Sequence, residues 1–329
     1  MLSTDETTTP AWDEGLLKNP HAVSDKRGRV QRMFAAIAPS YDLNNRLHSL
    51  WMDQLWRRKA VKLAGLTPSD VVVDVACGTG DLSIAMHRQK QRLSRTPLAQ
   101  REPVLPPLPP REGRGEGELR APLLENGQPT PTSPHPSPVA GSRPIRSLLP
   151  EGEGARGQRA VAVNSPAPTL GIDFTFEMLP IACEKSAHRG SLPIQFLNGD
   201  AQSLPLPDVS ADVVSIAFGI RNVASPAVAI REFFRVLRPG GRLIILEFSL
   251  PTNSVLRGLY NFYFRKILPR TATLISGDKT GAYKYLPESV NTFIGRQQMM
   301  QMMTAAGFQQ VQQHPMTFGV CICYCGVKT

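Results

Sequence analysis

Residues 71–82 read VVVDVACGTGDL, and this stretch decides the fold. Val71, Val72, Val73 and Val75 make a nearly continuous β-branched run, the pattern of a parallel strand covered on both faces. Gly78 and Gly80 then allow a tight turn and a close approach of backbone to ligand that a Cβ would block, and Leu82 to His87 continue with helical character. Such a strand, turn and helix cradle a nucleoside-bearing cofactor. In a dinucleotide turn a third glycine packs helix on strand while pyrophosphate rests on the helix N-terminus; here that position is Ser83. Asp81, at the helix entrance, is a poor neighbour for pyrophosphate but suits a cofactor that carries an ammonium and a sulfonium. A dinucleotide oxidoreductase is therefore the weaker reading.

Further strands follow at TLGID, PIQFLNGD, ADVVSIAFG and RLIILEF, and the tail adds GFQQVQQHP and GVCICYCGV. Asp173 ends the second strand, where a carboxylate can accept both hydroxyls of a ribose; capping is the structural alternative. Asp200 and Ala201 follow the third strand and offer an acceptor and a backbone N–H to an adenine edge. Ser225 followed by Pro226 starts a helix that Pro239 and two glycines stop. A second helix, 254–268, mixes aromatics with Arg257, Arg265 and Lys266, a face suited to an anionic membrane or to packing on the sheet. Strand four ends in AFGIRNV, not in the N-P-P-Y type of segment of many enzymes that methylate amino groups, which counts against nucleic acid as substrate.

The distance from the glycine turn to Asp173 far exceeds the usual ~20 residues. The excess is a single biased segment. Residues 88–168 hold sixteen of the thirty prolines, twelve Lys or Arg against seven Asp or Glu, and no Phe, Trp or Tyr. About half of the net charge of +10 therefore comes from sequence that cannot bury enough apolar surface to offset its chain entropy. Residues 89–164 are expected to be a disordered insertion, tolerated because loop closure entropy grows only logarithmically.

The rest of the 329-residue chain, 41% apolar overall, suffices for one full α/β core. The acidic, polar start MLSTDETTTPAWDEG is neither a secretory nor an arginine-rich transit leader, and residues 1–29 read as a polar tail. The five cysteines form no C-x-x-C pair; Cys321, Cys323 and Cys325 alternate on one strand face as small hydrophobes, and no metal site is expected. A cytoplasmic location follows, with any membrane contact peripheral.

The segment D-x-A-C-G-T-G-D, residues 74–81, resembles the first motif of class I S-adenosylmethionine-dependent methyltransferases. Beyond it, RVLRPGGRLIILEFS (235–249), FGIRNV, YKYLPES and YDLNNRLHSLWMDQLW resemble the signatures of the UbiE/COQ5 quinone-biosynthesis C-methyltransferases, from about Val30 to Lys328 apart from the insertion. Asn44 and Asp53 stand where that family usually has methionine and histidine, Arg238 replaces lysine, and Ala217 replaces serine.

The resemblance implies a Rossmann-like α/β domain, residues 30–88 and 165–329, with a mostly parallel seven-stranded sheet and helices on both faces. It implies S-adenosylmethionine as methyl donor, held by Gly78, Thr79, Gly80, Asp173, Asp200 and Ala201. The implied reaction is methylation of a ring carbon of a polyprenyl benzoquinol or demethylmenaquinol taken from the membrane, on the inner face of the cytoplasmic membrane, with other quinone-biosynthesis proteins as further partners. Loss of a phenolic proton pushes electron density onto the ortho carbon, and a cation lowers that pKa. Arg221 is the candidate cation and Asn222 the group that orients the ring oxygen, with Tyr41, Asp42 and Tyr285 as further substrate contacts or proton acceptors. For Arg221 the alternative is a structural ion pair. A methyltransferase for another small phenol or lipid, and a binding protein disabled by the insertion, remain alternative functions.

Overall fold

The valine run forms β1 (Val72–Val75), and its register places Val72 and Val73 in hydrophobic clusters on opposite faces of the sheet. The structure is a computed structural model and describes residues 11–96, 165–278 and 280–329. After β1 come α4 (Asp81–Arg95), β2 (Thr169–Asp173), α5 (Met178–His188), β3 (Ile194–Asn198), β4 (Ala211–Ala217), α6 (Pro226–Val236) and β5 (Leu237–Phe248). The tail adds α10 (Arg296–Ala305), β6 (Gln309–Met316) and β7 (Cys321–Val327). The strand order is β3-β2-β1-β4-β5-β7-β6. All pairs are parallel except β5 with β7 and β7 with β6. This is the expected seven-stranded, mostly parallel α/β sheet.

On one face Phe233 and Ile230 of α6 and Met299 and Met303 of α10 bury Val73, Val75, Val214 and Ile245. On the other, α3 (Met52–Leu63) and α4 cover Val72, Val213 and Ile244 with Trp56, Ala60, Leu82 and Met86. Cys321 and Cys323 join this second cluster, with Cys325 packed against it. A third cluster stands above the strand ends. It joins α1 (Lys26–Ile37), α8 (Leu268–Ser276) and α9 (Ala282–Asn291) through Met33, Ile37, Leu268, Ala272, Tyr283 and Tyr285. Between α1 and α3 lies α2 (Tyr41–His48).

Four expectations are revised. Part of the tail of residues 1–29 is structure: Trp12 is buried and stacks on Tyr285 at 4.4 Å, and α1 begins at Lys26. The helix after the glycine turn continues beyond residue 88 to Arg95, because Lys90 is buried and donates to the carbonyls of Asp70, Ala167 and Pro168. That clamp joins both sides of the long segment to the base of β1, and residues 97–164, the bulk of the expected insertion, lie outside the described residues. The 254–268 helix is α7 (Ser254–Phe262), which passes through a π-helical turn (Tyr263–Ile267) into α8 and so ends only at Ser276. Finally, α6 stops at Val236, before Pro239, where Leu237 is already extended.

Candidate active site

The glycine turn adopts backbone angles that favour glycine. Gly78 and Gly80 have φ of +53° and +80°, and a Cβ at Gly80 would meet the Phe196 ring at 3.1 Å. Ser83, in the third-glycine position, instead donates its hydroxyl to Asp74 at 2.6 Å, and Ser215 of β4 donates to the other oxygen at 2.7 Å. Burial of Asp74 pushes its carboxyl up to about 6, against those two hydrogen bonds.

Asp173, at the tip of β2, accepts from Gly78 N–H at 2.7 Å and from Thr175 N–H at 2.8 Å. The carboxylate thereby ties strand tip to glycine turn and keeps lone pairs for a diol. Burial raises it to about 6. Asp173 and Gly78 line a cleft of about 760 Å³ that also takes in Gly199, Asp200, Ala201, Ala217 and Asn222. Gly199 and Gly219 floor it, and a Cβ at either would run into Ile172 or Ala76 at 2.9 and 2.5 Å. Helix α1 roofs it as a lid: Val30 and Phe34 line the cleft, and Arg27 pairs with Asp200 at 2.9 Å while covering the Phe174 ring at 4.4 Å. Nothing in the sequence pointed to Arg27, since its partner lies far along the chain.

A second cavity of about 630 Å³ shares Phe34, Tyr41 and Phe218 with the cleft. Met33, Ile37, Phe248, Tyr283, Tyr285 and Leu286 make its apolar wall, and Asn45, Ser49, Asp53, Arg57 and Arg221 its polar one. Arg221 is 5% exposed and donates through Nη1 to Glu247 at 2.7 Å and to the Phe218 carbonyl at 2.6 Å. Burial opposes its charge, but Glu247, Tyr285 and Tyr41 together outweigh burial and keep the guanidinium ionised. Asn222 lines the cofactor cleft instead, with its Oδ1 accepting the Tyr285 hydroxyl at 2.9 Å. Tyr41 stands where the cavities meet, its hydroxyl pKa raised by burial, as is that of Tyr285.

Thr79 and Asp42 are placed differently. Thr79 donates to Asp42 at 2.6 Å and accepts from Lys185 at 3.0 Å, and Lys185 also pairs with Asp42 and, at 2.8 Å, with Asp81. Asp42 thus belongs to an ion cluster beside the turn and lines neither large cavity. Besides Arg27 with Asp200, the sequence reading missed Glu247 with Arg221 and Asp53 with Arg57; of these only the last, at i and i+4 on one helix, left a readable signal.

A β1 glycine turn, a carboxylate at the β2 tip and an acid followed by a backbone N–H after β3 thus stand around one cleft. The sequence profile of the ubiE/COQ5 methyltransferase family matches residues 21–98 and 156–328. This chain belongs to that family. It is similar to the "Ubiquinone/menaquinone biosynthesis C-methyltransferase UbiE" of Geobacter sp. (strain M21), 33% identical over 311 residues that cover 94% of this chain and 100% of that one. It is also similar to the "Demethylmenaquinone methyltransferase" of Deinococcus radiodurans, 34% identical over 92% of this chain and 94% of that one. The protein of the same description from Thermus thermophilus is 35% identical over 89% of this chain and 99% of the other. As a member of the ubiE/COQ5 family the chain is an S-adenosylmethionine-dependent methyltransferase.

Proposed function

We propose that this methyltransferase methylates a ring carbon of a polyprenylated benzoquinol or demethylmenaquinol. The observation that carries the reading is the second cavity, apolar on one wall and polar on the other, which meets the cofactor cleft at Tyr41. Gly78, Asp173, Asp200 and Ala201 hold S-adenosylmethionine, which when bound supplies a methyl group activated by its sulfonium. Phe34, Phe218 and Tyr41 exclude water from the join. Arg221, its charge shared with Glu247, lines the acceptor cavity, and a hydrogen bond from its guanidinium to a quinol oxygen would favour the phenolate. Tyr41 and Tyr285 are held protonated by burial at neutral pH, so they act as hydrogen-bond donors rather than as bases. Asp42, engaged by Lys185 and Thr79, steadies the turn instead of taking the proton. The nucleophilic carbon would bond to the methyl group as its bond to sulfur breaks and S-adenosylhomocysteine leaves, and the ring proton would then pass through solvent to the former phenolate oxygen, which restores aromaticity.

Access from a membrane surface is part of the proposal. Val255, Leu259 and Phe262 fall on successive turns of α7 and are exposed, as are Ile267, Leu274 and Ile275 toward and along α8. A groove beside them carries Lys18, Arg265, Lys266, Arg270 and Lys284. Apolar side chains next to a basic groove suit an anionic bilayer surface. Among the described residues no helix is long and apolar enough to cross a membrane.

The test is turnover of S-adenosylmethionine with demethylmenaquinol and polyprenyl benzoquinol against a panel of water-soluble catechols. Faster turnover with a prenylated quinol is expected. Preference for a soluble catechol would point to another small-phenol methyltransferase.

A further inference from the structure

A third, smaller cavity of about 310 Å³ lies beneath Tyr41, between the glycine turn and α3. Its walls are the turn itself (Ala76 to Thr79), the entrance of α4 (Asp81, Leu82), Asp74, Ala217 of β4, and Arg57. It adjoins the cofactor cleft through Ala76, Gly78 and Ala217, and the acceptor cavity through Tyr41 and Arg57. Among the residues that line it, Arg57 is the one cation.

Arg57 is 8% exposed, and both of its hydrogen bonds leave from Nη1, to Asp53 O at 3.4 Å and Asp53 Oδ2 at 2.7 Å. Ser49 and Gln54 donate to the same carboxylate at 2.9 Å each, which fixes the guanidinium against the cavity wall. Its carbon stands 5.1 Å from the Phe218 ring centroid. Nε and Nη2 form no hydrogen bond within the described residues. A guanidinium carries five N–H donors in a planar fork, and the pair left over here matches a planar carboxylate. The neighbouring cations are already committed: Lys185 to Thr79, Asp42 and Asp81, and Arg46 to Asp42 and Asp81. Asp81 shows how far the local positive charge reaches: burial pushes its carboxyl up, yet Lys185 and Arg57 together hold it at about 2.

We propose that Arg57 is a binding residue for the α-carboxylate at the amino-acid end of the cofactor, seated in this small cavity beside the glycine turn. The position fits because the small cavity shares Ala76, Gly78 and Ala217 with the cleft but is not lined by Asp173 or Asp200. Asp53 offsets part of the cost of burying this cation, and the two donors that it leaves free, on a residue that lines the cavity, are available to an anion. An acceptor phenolate would draw on the same chemistry from the other cavity, so the experiment separates the two anions. The inference rests on the cofactor and not on the identity of the acceptor.

The test is calorimetric titration of the full chain, wild type, R57Q and R57K, with S-adenosylhomocysteine and with 5′-methylthioadenosine, which has the same nucleoside but no amino acid. R57Q is expected to weaken S-adenosylhomocysteine at least ten-fold while leaving 5′-methylthioadenosine within two-fold, and R57K, charged but without the fork, to fall between. Equal weakening of both ligands would mean that Arg57 only supports the fold and would overturn the proposal. So would unchanged affinity for both, including the case in which methylation alone falls and its pH profile moves upward, which would assign Arg57 to the acceptor's oxyanion.

Discussion

Arg221 and Glu247 form a two-point buried contact: the guanidinium donates to one carboxylate oxygen at 2.7 Å and the Arg221 backbone N–H to the other at 3.2 Å. The short turn Ile220–Asn222 is thereby fastened to the end of β5, and Lys26 of the lid holds it from above through the carbonyls of Arg221 and Val223. Removing one partner leaves a buried charge uncompensated, at a cost of about 3–5 kcal/mol. Glu247→Leu is expected to lower the unfolding free energy by that order, and Arg221→Met with Glu247→Leu to recover most of it. Urea unfolding of the three variants checks this. Full stability of the single variant would show that the pair does not hold the turn.

Trp12 reaches the site through one intermediary. Its ring stacks on Tyr285, whose hydroxyl donates to Asn222. Trp12→Ala is expected to destabilise by about 3 kcal/mol or more, as truncation of a buried aromatic does. It should reduce turnover while leaving cofactor affinity within a few-fold, because Asp173 and the glycine turn are untouched. A melting curve beside a turnover assay distinguishes this from an unstructured terminus, for which neither quantity would move.

Asp74 and Asp173 both titrate near 6 in the folded chain because they are buried, against 3.8 as the reference value. The folded state therefore binds more protons than the unfolded state between pH 4 and 6, so these two groups make stability fall as pH rises through that window. Two units correspond to about 3 kcal/mol per group. Asp74→Asn is expected to flatten the dependence by its share. Unfolding free energies at pH 5 and 7.5 measure it, and an unchanged slope in the variant would contradict the assignment.

Replacing residues 97–164 by a flexible link of about ten residues is expected to leave melting temperature and cofactor affinity nearly unchanged. The ends are already joined by Lys90, which donates to Asp70 on one side and to Ala167 and Pro168 on the other. Loss of binding in the shortened chain would show that the segment contributes to the site.

The first three strands were legible because each ends at a residue of distinct chemistry: the glycine turn after β1, Asp173 at the end of β2, Asp200 after β3. The acceptor side was less so. Its walls come from α1, α2, α3, β4, β5 and α9, and pairings such as Arg221 with Glu247 or Arg27 with Asp200 join residues 26 and 173 positions apart, which no local pattern records. The N-terminal segment was misread because its polar composition hid Ala11, Trp12 and Leu17, which pack against α1, α8 and α9. Ser83 told against a dinucleotide by its lack of fit; its positive role as the donor to Asp74 needed the structure.

The most direct measurement is analysis of the product formed from methyl-deuterated S-adenosylmethionine and a demethylmenaquinol or polyprenyl benzoquinol. A trideuteromethyl group on a ring carbon, lost when Asp173→Ala removes the ribose acceptor, is the predicted result. Label on a ring oxygen, or no transfer to either quinol by a protein that binds the cofactor, would contradict the proposal.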